Sequence, residues 1–148
     1  MTAKPARAKL KILFVCYGNI CRSPMAAGIA AKRLGPAAEV ASAGIAAIPG
    51  VPVAYEAVLV MRIVYKTDIK GHTAKNILDV DLKSFDYVVA MDLTIFNRLK
   101  SLGAVPEEKL YAWNIEDPLG HDYDTFKSAA REIERRLDKF LVNVGLDY

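Results

Sequence analysis

Only five residues, Tyr17-Gly18-Asn19-Ile20-Cys21, separate Cys16 from Arg22, and the segments on either side differ sharply. Upstream, Leu10-Lys11-Ile12-Leu13-Phe14-Val15 is an apolar run of strand length and predicts a buried strand ending at Cys16. Downstream, Ser23 is expected to be a helix N-cap and Pro24 the first helical residue, where its missing N–H costs nothing. An Ala-rich stretch through Lys32-Arg33-Leu34 propagates that helix, and Gly35-Pro36 stops it. A short turn between a strand and a helix N-terminus gathers backbone N–H groups around one point, which makes an anion cradle. With a thiol at its floor and a guanidinium at its rim, such a cradle suits attack on phosphorus. The thiolate is the nucleophilic form, and a helix N-terminus with a nearby cation favours it. The planar fork of Arg22 suits two equatorial phosphoryl oxygens better than a Lys would. A buried Cys at a strand end with a solvated Arg also explains the spacing. It leaves the strand, the cap and the Pro falling together unexplained.

The remainder of the chain alternates strand-like and helix-like patches without repeats. Glu39-Val40-Ala41-Ser42-Ala43 predicts a second strand ending at Gly44, and Ala54 to Val64 a helix. Thr73 to Leu78 predicts a further turn or helix. Phe85 to Met91 predicts a third strand, Leu93 to Leu102 a helix, and Lys109 to Trp113 a fourth strand. Phe126, Ala130, Ile133, Leu137 and Phe140 recur on one face of a last helix from about Asp124 to Val142. Strands separated by helix-length connections imply an α/β fold, with a parallel sheet covered on both faces. Ligands of such sheets sit beyond the carboxyl ends of the strands. That edge collects Cys16, Ser42, Asp92 and the stretch after Trp113.

At 148 residues the chain is expected to form a single domain with its own core, with residues 1–8 as a polar, Pro-containing tail. The net charge of +3 is spread evenly and builds no basic stripe, so nucleic acid is not an expected partner. No apolar run approaches membrane-spanning length and no signal-peptide core opens the sequence, so no membrane insertion and a cytoplasmic location are expected. Two cysteines inside one loop make no disulfide framework. The two histidines, His72 and His121, lie far apart and build no metal site with them, so neither a metal nor a cofactor is expected.

The string Leu13-Phe14-Val15-Cys16-Tyr17-Gly18-Asn19-Ile20-Cys21-Arg22-Ser23-Pro24-Met25-Ala26 resembles the phosphate-binding loop of the low-molecular-weight protein tyrosine phosphatases. Four further segments continue the likeness in order. They are Ser42-Ala43-Gly44, Gly71-His72-Thr73-Ala74, Phe85 to Asp92, and Asp117-Pro118. The resemblance implies a three-layer α/β/α fold with a four-stranded parallel sheet. It also implies hydrolysis of phosphotyrosine in proteins and of small aryl phosphates through a phosphocysteine. Cys16 would be the nucleophile, Arg22 the phosphoryl ligand, and Asp117 the acid that protonates the leaving phenolate and then activates water. On its own, Asp117-Pro118 reads more readily as a plain turn, since Asp-Pro commonly opens one; the resemblance is what favours the acid. Ser23 would donate to the Cys16 sulfur, while Ser23, Ser42 and His72 would hold Asn19, itself in a left-handed conformation that Asn tolerates. The counterpart of Cys21 can form a disulfide with the nucleophile, although a small buried residue filling space is the plainer alternative. Phosphate and related oxyanions are the implied loop ligands, and a tyrosine-phosphorylated protein the implied substrate.

Several positions depart from the family pattern. Ala27 stands for a usual Glu, Ile48 for an aromatic, Ala54-Tyr55-Glu56-Ala57 for Asp-Pro-Arg-Ala, and Lys75 for Arg. Leu119-Gly120 follows Asp117-Pro118 where an aromatic is usual. The substrate walls are therefore expected to be Tyr17, Ile48 and Leu119, with Trp113 or Tyr123 as further candidates. Aromatic stacking adds about 0.5–1.5 kcal/mol beyond area burial, so lost wall aromatics weaken binding by roughly an order of magnitude. Three other readings compete. Relatives that hydrolyse phosphoarginine usually carry Thr where Ile20 stands. The thioredoxin-linked arsenate reductases use two more cysteines than this chain has. A non-catalytic phospho-ligand module would need neither Cys16 nor Asp117.

Overall fold

A computed structural model describes residues 9–146, so the expected N-terminal tail lies outside the described residues. Strand β1 runs Leu10–Cys16 as its apolar composition predicts, and its last five residues are buried. It pairs in parallel with β2 (Ala38–Gly44) on one side and with β3 (Tyr87–Ala90) on the other, and β3 pairs in parallel with β4 (Leu110–Ala112). The strand order is β2-β1-β3-β4. The chain therefore leaves β1 in one direction and resumes on its other side, which makes the carboxyl end of β1 a topological switch point. In an open α/β sheet that is where a crevice forms.

Helix α1 (Arg22–Leu34) packs on β1 and β2, α2 (Tyr55–Tyr65) and α4 (Tyr123–Asn143) pack on α1, and α3 (Leu93–Leu102) packs on β3 and β4. Right-handed crossovers with opposite directions of travel put α1 and α3 on opposite faces, giving the expected layers. The residues that repeat along α4, Phe126, Ala130, Ile133, Leu137 and Phe140, are all buried. Gly35 ends α1 at φ 62°, in the left-handed region where only Gly is unstrained.

Two expectations need correction, and a third, the turn or helix over Thr73 to Leu78, is met only as a turn. Ser23 is not the N-cap: α1 begins at Arg22, and the Ser23 hydroxyl turns into the loop instead. Thr73 to Leu78 forms no helix beyond a single 3-10 turn at Ile77–Asp79. Isolated bridges from Gly44 to Asn76 and from Pro52 to Thr73 pull this segment straight, and the Lys75 N–H joins it to Asn19 in the loop after β1. The third and fourth strands are shorter than expected. Their ladders continue past the ends through single bonds from the Met91 N–H to the Val15 carbonyl and from the Trp113 N–H to the Ala90 carbonyl.

Candidate active site

The segment Cys16 to Arg22 wraps around the Cys16 sulfur. Its carbonyls face outward. Those of Cys16, Tyr17 and Ile20 accept from the N–H groups of Ile45, Ala46 and Ala54 at 2.9–3.0 Å, and that of Cys21 accepts from Met25. The Asn19 carbonyl accepts from His72 Nε2 at 2.9 Å. A trans peptide points its N–H opposite to its C=O, so carbonyls bound outward leave amides turned to the inside of the loop. The Asn19 N–H reaches Cys16 Sγ at 3.2 Å.

Asn19 is fully buried and sits at φ 58°, the left-handed conformation expected for it. Its side chain donates to Ser23 Oγ at 2.8 Å and to Ser42 Oγ at 2.9 Å, and its Oδ1 accepts from the Lys75 N–H at 2.9 Å. Every polar atom of this side chain is used, which fixes a strained backbone turn through side-chain chemistry. Because Asn19 donates to Ser23 Oγ, the serine's own hydrogen is free for Cys16 Sγ, 2.9 Å away; the alternative acceptor, the Ala43 carbonyl, lies at 3.5 Å. Two donors thus aim at a sulfur that is 3 % exposed, and both stabilise negative charge on it. Gly44 admits the loop: a Cβ there would stand 2.6 Å from the Tyr17 carbonyl oxygen and 2.9 Å from the Asn19 nitrogen.

Arg22 is buried at the first turn of α1. Its Nη1 donates to Asp92 Oδ2 at 2.8 Å and to the Ile115 carbonyl at 2.9 Å. These two contacts hold the guanidinium at the cleft, and Nη2 lies 3.8 Å from Asp117 Oδ2. Asp92 also caps α3 by accepting from the Ile95 N–H at 2.9 Å. The sequence placed Asp92 at this sheet edge without a task. Its one local signal, an acidic residue just before a helix, speaks only of capping. Nor does any local signal lead to the backbone contacts from Ile115 and Lys75, which come from strands and loops far away in sequence.

Asp117 stands half-exposed at the mouth, with Oδ1 accepting from the Leu119 N–H at 3.1 Å. Pro118 to His121 makes a tight turn, closed by the His121 N–H on the Pro118 carbonyl, with Gly120 at φ 84°. The turn reading and the site reading of Asp117-Pro118 are therefore compatible: the turn aims the carboxylate. The cleft, about 300 Å³ counting its open mouth, is lined by Cys16, Tyr17, Gly18, Ile20, Cys21, Arg22, Asp117 and Leu119. Tyr17 and Leu119 stand at it as expected, both largely exposed. Ile48 is exposed but outside the lining, because the loop after Gly44 carries it away. Trp113 is no wall either. It is buried against Phe14 and Phe140, with ring centroids 5.5 and 6.2 Å away. Tyr123 opens α4 and packs on the core.

Two titratable neighbours are displaced from their ordinary range. Burial, then the charges of Asp117 and Cys16, push the Cys21 thiol up to about 12. Burial, then Lys75, lower His72, against the opposing effect of its bond to the Asn19 carbonyl. A histidine lowered by folding binds its proton more readily when unfolded. Its contribution to stability is therefore complete above pH ~6.5 and lost as pH falls below that. Thermal denaturation from pH 8 to 5 is expected to show this loss, and His72→Gln, which keeps an N–H donor but cannot ionise, is expected to flatten that part of the curve. Identical profiles for the two proteins would remove His72 from the pH response.

The site is thus an amide-lined loop around a buried cysteine sulfur, backed by a clamped guanidinium at a sheet switch point. The family model for low molecular weight phosphotyrosine protein phosphatase matches residues 11–147, and the chain belongs to that family. It is 36% identical over 132 residues to an arsenate reductase of Staphylococcus aureus, covering 89% of this chain and 96% of the relative. Among solved structures it is similar to a low molecular weight protein tyrosine phosphatase from T. tengcongensis, with TM-score 0.81, 36% identity and coverage of 91% and 99% of the two chains. It is also similar to the YwlE arginine phosphatase from Geobacillus stearothermophilus, with TM-score 0.81, 26% identity and coverage of 92% and 93%.

Proposed function

We propose that this phosphatase-family chain hydrolyses phosphotyrosine, in proteins and in small aryl phosphates, through a phosphocysteine on Cys16. The observation that carries the reading is the composition of the cleft mouth. Tyr17, Ile20 and Leu119 offer an apolar slot above a cradle that takes the phosphoryl group. A planar phenyl ring fits such a slot, with its ester oxygen toward Asp117. In the first step Sγ attacks phosphorus in line, the P–S bond forms as the P–O bond breaks, and Asp117 gives its proton to the departing phenolate. Arg22 and the loop amides hold the equatorial oxygens as charge develops on them. In the second step Asp117 takes a proton from water, the water oxygen bonds phosphorus, and the sulfur leaves as a thiolate supported by Ser23 and Asn19. No helix among the described residues is long and apolar enough to cross a membrane, and a cytoplasmic enzyme without a cofactor is the reading we adopt.

The relatives bring two competitors into view. A phosphoarginine substrate carries a polar, cationic guanidine below its phosphoryl group, and Ile20 offers that group no partner. Arsenate reduction leaves an oxidised cysteine that must be relayed outward, and this chain's two cysteines both lie in the loop. Initial rates on phosphotyrosine and phosphoarginine peptides of one sequence, with thioredoxin-coupled arsenate turnover alongside, test the assignment. Phosphotyrosine is expected to lead by at least about tenfold; a lead for either competitor overturns it.

Cys21 is proposed to capture an oxidised Cys16, forming a disulfide and water from a sulfenic acid and a thiol. Held up to about 12, its thiol supplies little thiolate at neutral pH, so capture is expected to be slow and to speed up as pH rises. Peroxide should inactivate the enzyme, dithiothreitol should restore it, and Cys21→Ser should stay active yet lose that recovery. Sulfinic acid at Cys16 in wild type and variant alike would leave Cys21 as packing.

A further inference from the structure

Beside the phosphate cleft lies a second, larger one, about 760 Å³ counting its open mouth, between residues 52–55 and one face of α2. The two are joined through the backbone. The Ala54 N–H donates to the carbonyl of Ile20 at 2.9 Å, and Ile20 lines the phosphate cleft. The Val53 N–H donates to the carbonyl of His72, whose ring in turn holds Asn19. The floor of the second cleft is apolar, made of buried Val53 and Val58. Pro52, the largely exposed ring of Tyr55, Arg62 and Lys70 complete its lining. Tyr55, Val58 and Arg62 fall three and four residues apart, which sets them on one side of the helix.

The charge in this cleft is unbalanced. Arg62 and Lys70 are exposed cations with no ion pair among the described residues, and no acid lines the cleft. The nearest acids in sequence are Glu56 and Asp68, and Asp68 Oδ1 is engaged by the backbone N–H of Lys70. Arg62 stands about two helical turns along α2 from Tyr55, away from the Ala54–Ile20 junction, and Lys70 lines the same cleft. Along α2, Tyr55 to Arg62 spans about 10 Å, which an extended peptide covers in about three residues.

We propose that this cleft is a second substrate subsite, which takes an acidic side chain of the same polypeptide that presents the phosphotyrosine, three to five residues from it. The peptide crosses the Ile20–Ala54 junction, lays an apolar side chain over Val53 and Val58 beside the Tyr55 ring, and sets a carboxylate between Arg62 and Lys70. This rests on the phosphotyrosine reading and narrows it to substrates with acidic flanks. The cations lie outside the phosphoryl cradle, so they act on binding of the flank and leave the chemical step alone.

Phosphotyrosine peptides with Glu three to five residues away, on one side or the other, are compared with neutral peptides on wild type and on an Arg62→Gln, Lys70→Gln double variant. Wild type is expected to show a KM about three- to tenfold lower for an acidic peptide, a preference that shrinks with added salt. The double variant should lose that preference while hydrolysing p-nitrophenyl phosphate as wild type does. An acidic preference of equal size in both proteins, or none in wild type, overturns the subsite. Should no phosphotyrosine peptide be turned over at all, the assigned reaction fails on its own. Fluorescence polarisation of the same labelled peptides on Cys16→Ser, with and without the two Gln substitutions, then reads the subsite separately. Tighter binding of the acidic peptide that depends on Arg62 and Lys70 supports it, and equal binding rejects it.

Discussion

Replacing Cys16 by Ser is expected to reduce turnover of aryl phosphates below about one part in 10⁴ while leaving vanadate and phosphate binding measurable. The reasoning separates the atom that reacts from the atoms that hold. The Arg22 guanidinium is fixed by Asp92 and the Ile115 carbonyl, and the loop carbonyls are fixed by Ile45, Ala46, Ala54 and His72. None of these contacts uses the sulfur. A hydroxyl at the same place is a poor nucleophile at neutral pH, because the donors from Asn19 and Ser23 cannot ionise an alcohol as they support a thiolate. Isothermal titration with vanadate and a sensitive phosphate-release assay check the two halves. Residual activity above a few per cent would sink the phosphocysteine; loss of both activity and anion binding would mean that the sulfur also organises the loop.

Asp117→Asn is expected to slow turnover of phenyl phosphate by roughly 10²–10⁴, the usual worth of a positioned general acid. The substitution is a clean one here. Asn can accept the Leu119 N–H as Asp117 Oδ1 does, so the turn through Gly120 persists. The variant loses the proton that Asp117 is proposed to exchange and the negative charge that faces Arg22 Nη2 at 3.8 Å. Departure of a low-pKa phenol needs little protonation, so the defect should shrink steadily from phenyl to nitrophenyl esters. A defect of one size across the series would assign Asp117 to holding Arg22, which it faces at 3.8 Å.

Much of the fold was legible because its signals are local. An apolar run before Cys16, a Gly-Pro stop after Leu34 and a long one-sided repeat in α4 each carry their own physics, and their positions came out within one or two residues. Ser23 shows how a local rule fails at a site. Its type suits an N-cap, but the hydroxyl finds partners in Asn19 and Cys16, and the helix starts one residue earlier. Of the turn or helix expected over the Thr73 to Leu78 segment only a turn at its end forms, for a similar reason. Its bonds go to Gly44, Pro52 and Asn19, which sequence distance hides. The site's inner ring was readable from Cys16, Asn19 and Arg22 because loop, helix start and resemblance agreed. The outer ring was not: Asp92 and Ile115 reach Arg22 only through the β3–β4 side of the sheet. Ile48 and Trp113 left the expected wall because packing, not residue type, decides which aromatic or aliphatic side chain faces a cleft.

The most direct test of the central claim is to look for phosphorus on the sulfur. A phosphotyrosine peptide is mixed with Asp117→Asn, in which the account expects water activation in the second step to be impaired, and the reaction is quenched within its first turnovers for mass spectrometry of the peptide containing Cys16. The account predicts a phosphoryl group on Cys16 that appears with the free tyrosine peptide and decays as phosphate is released. Release of the tyrosine peptide and phosphate with Cys16 unmodified throughout would contradict it.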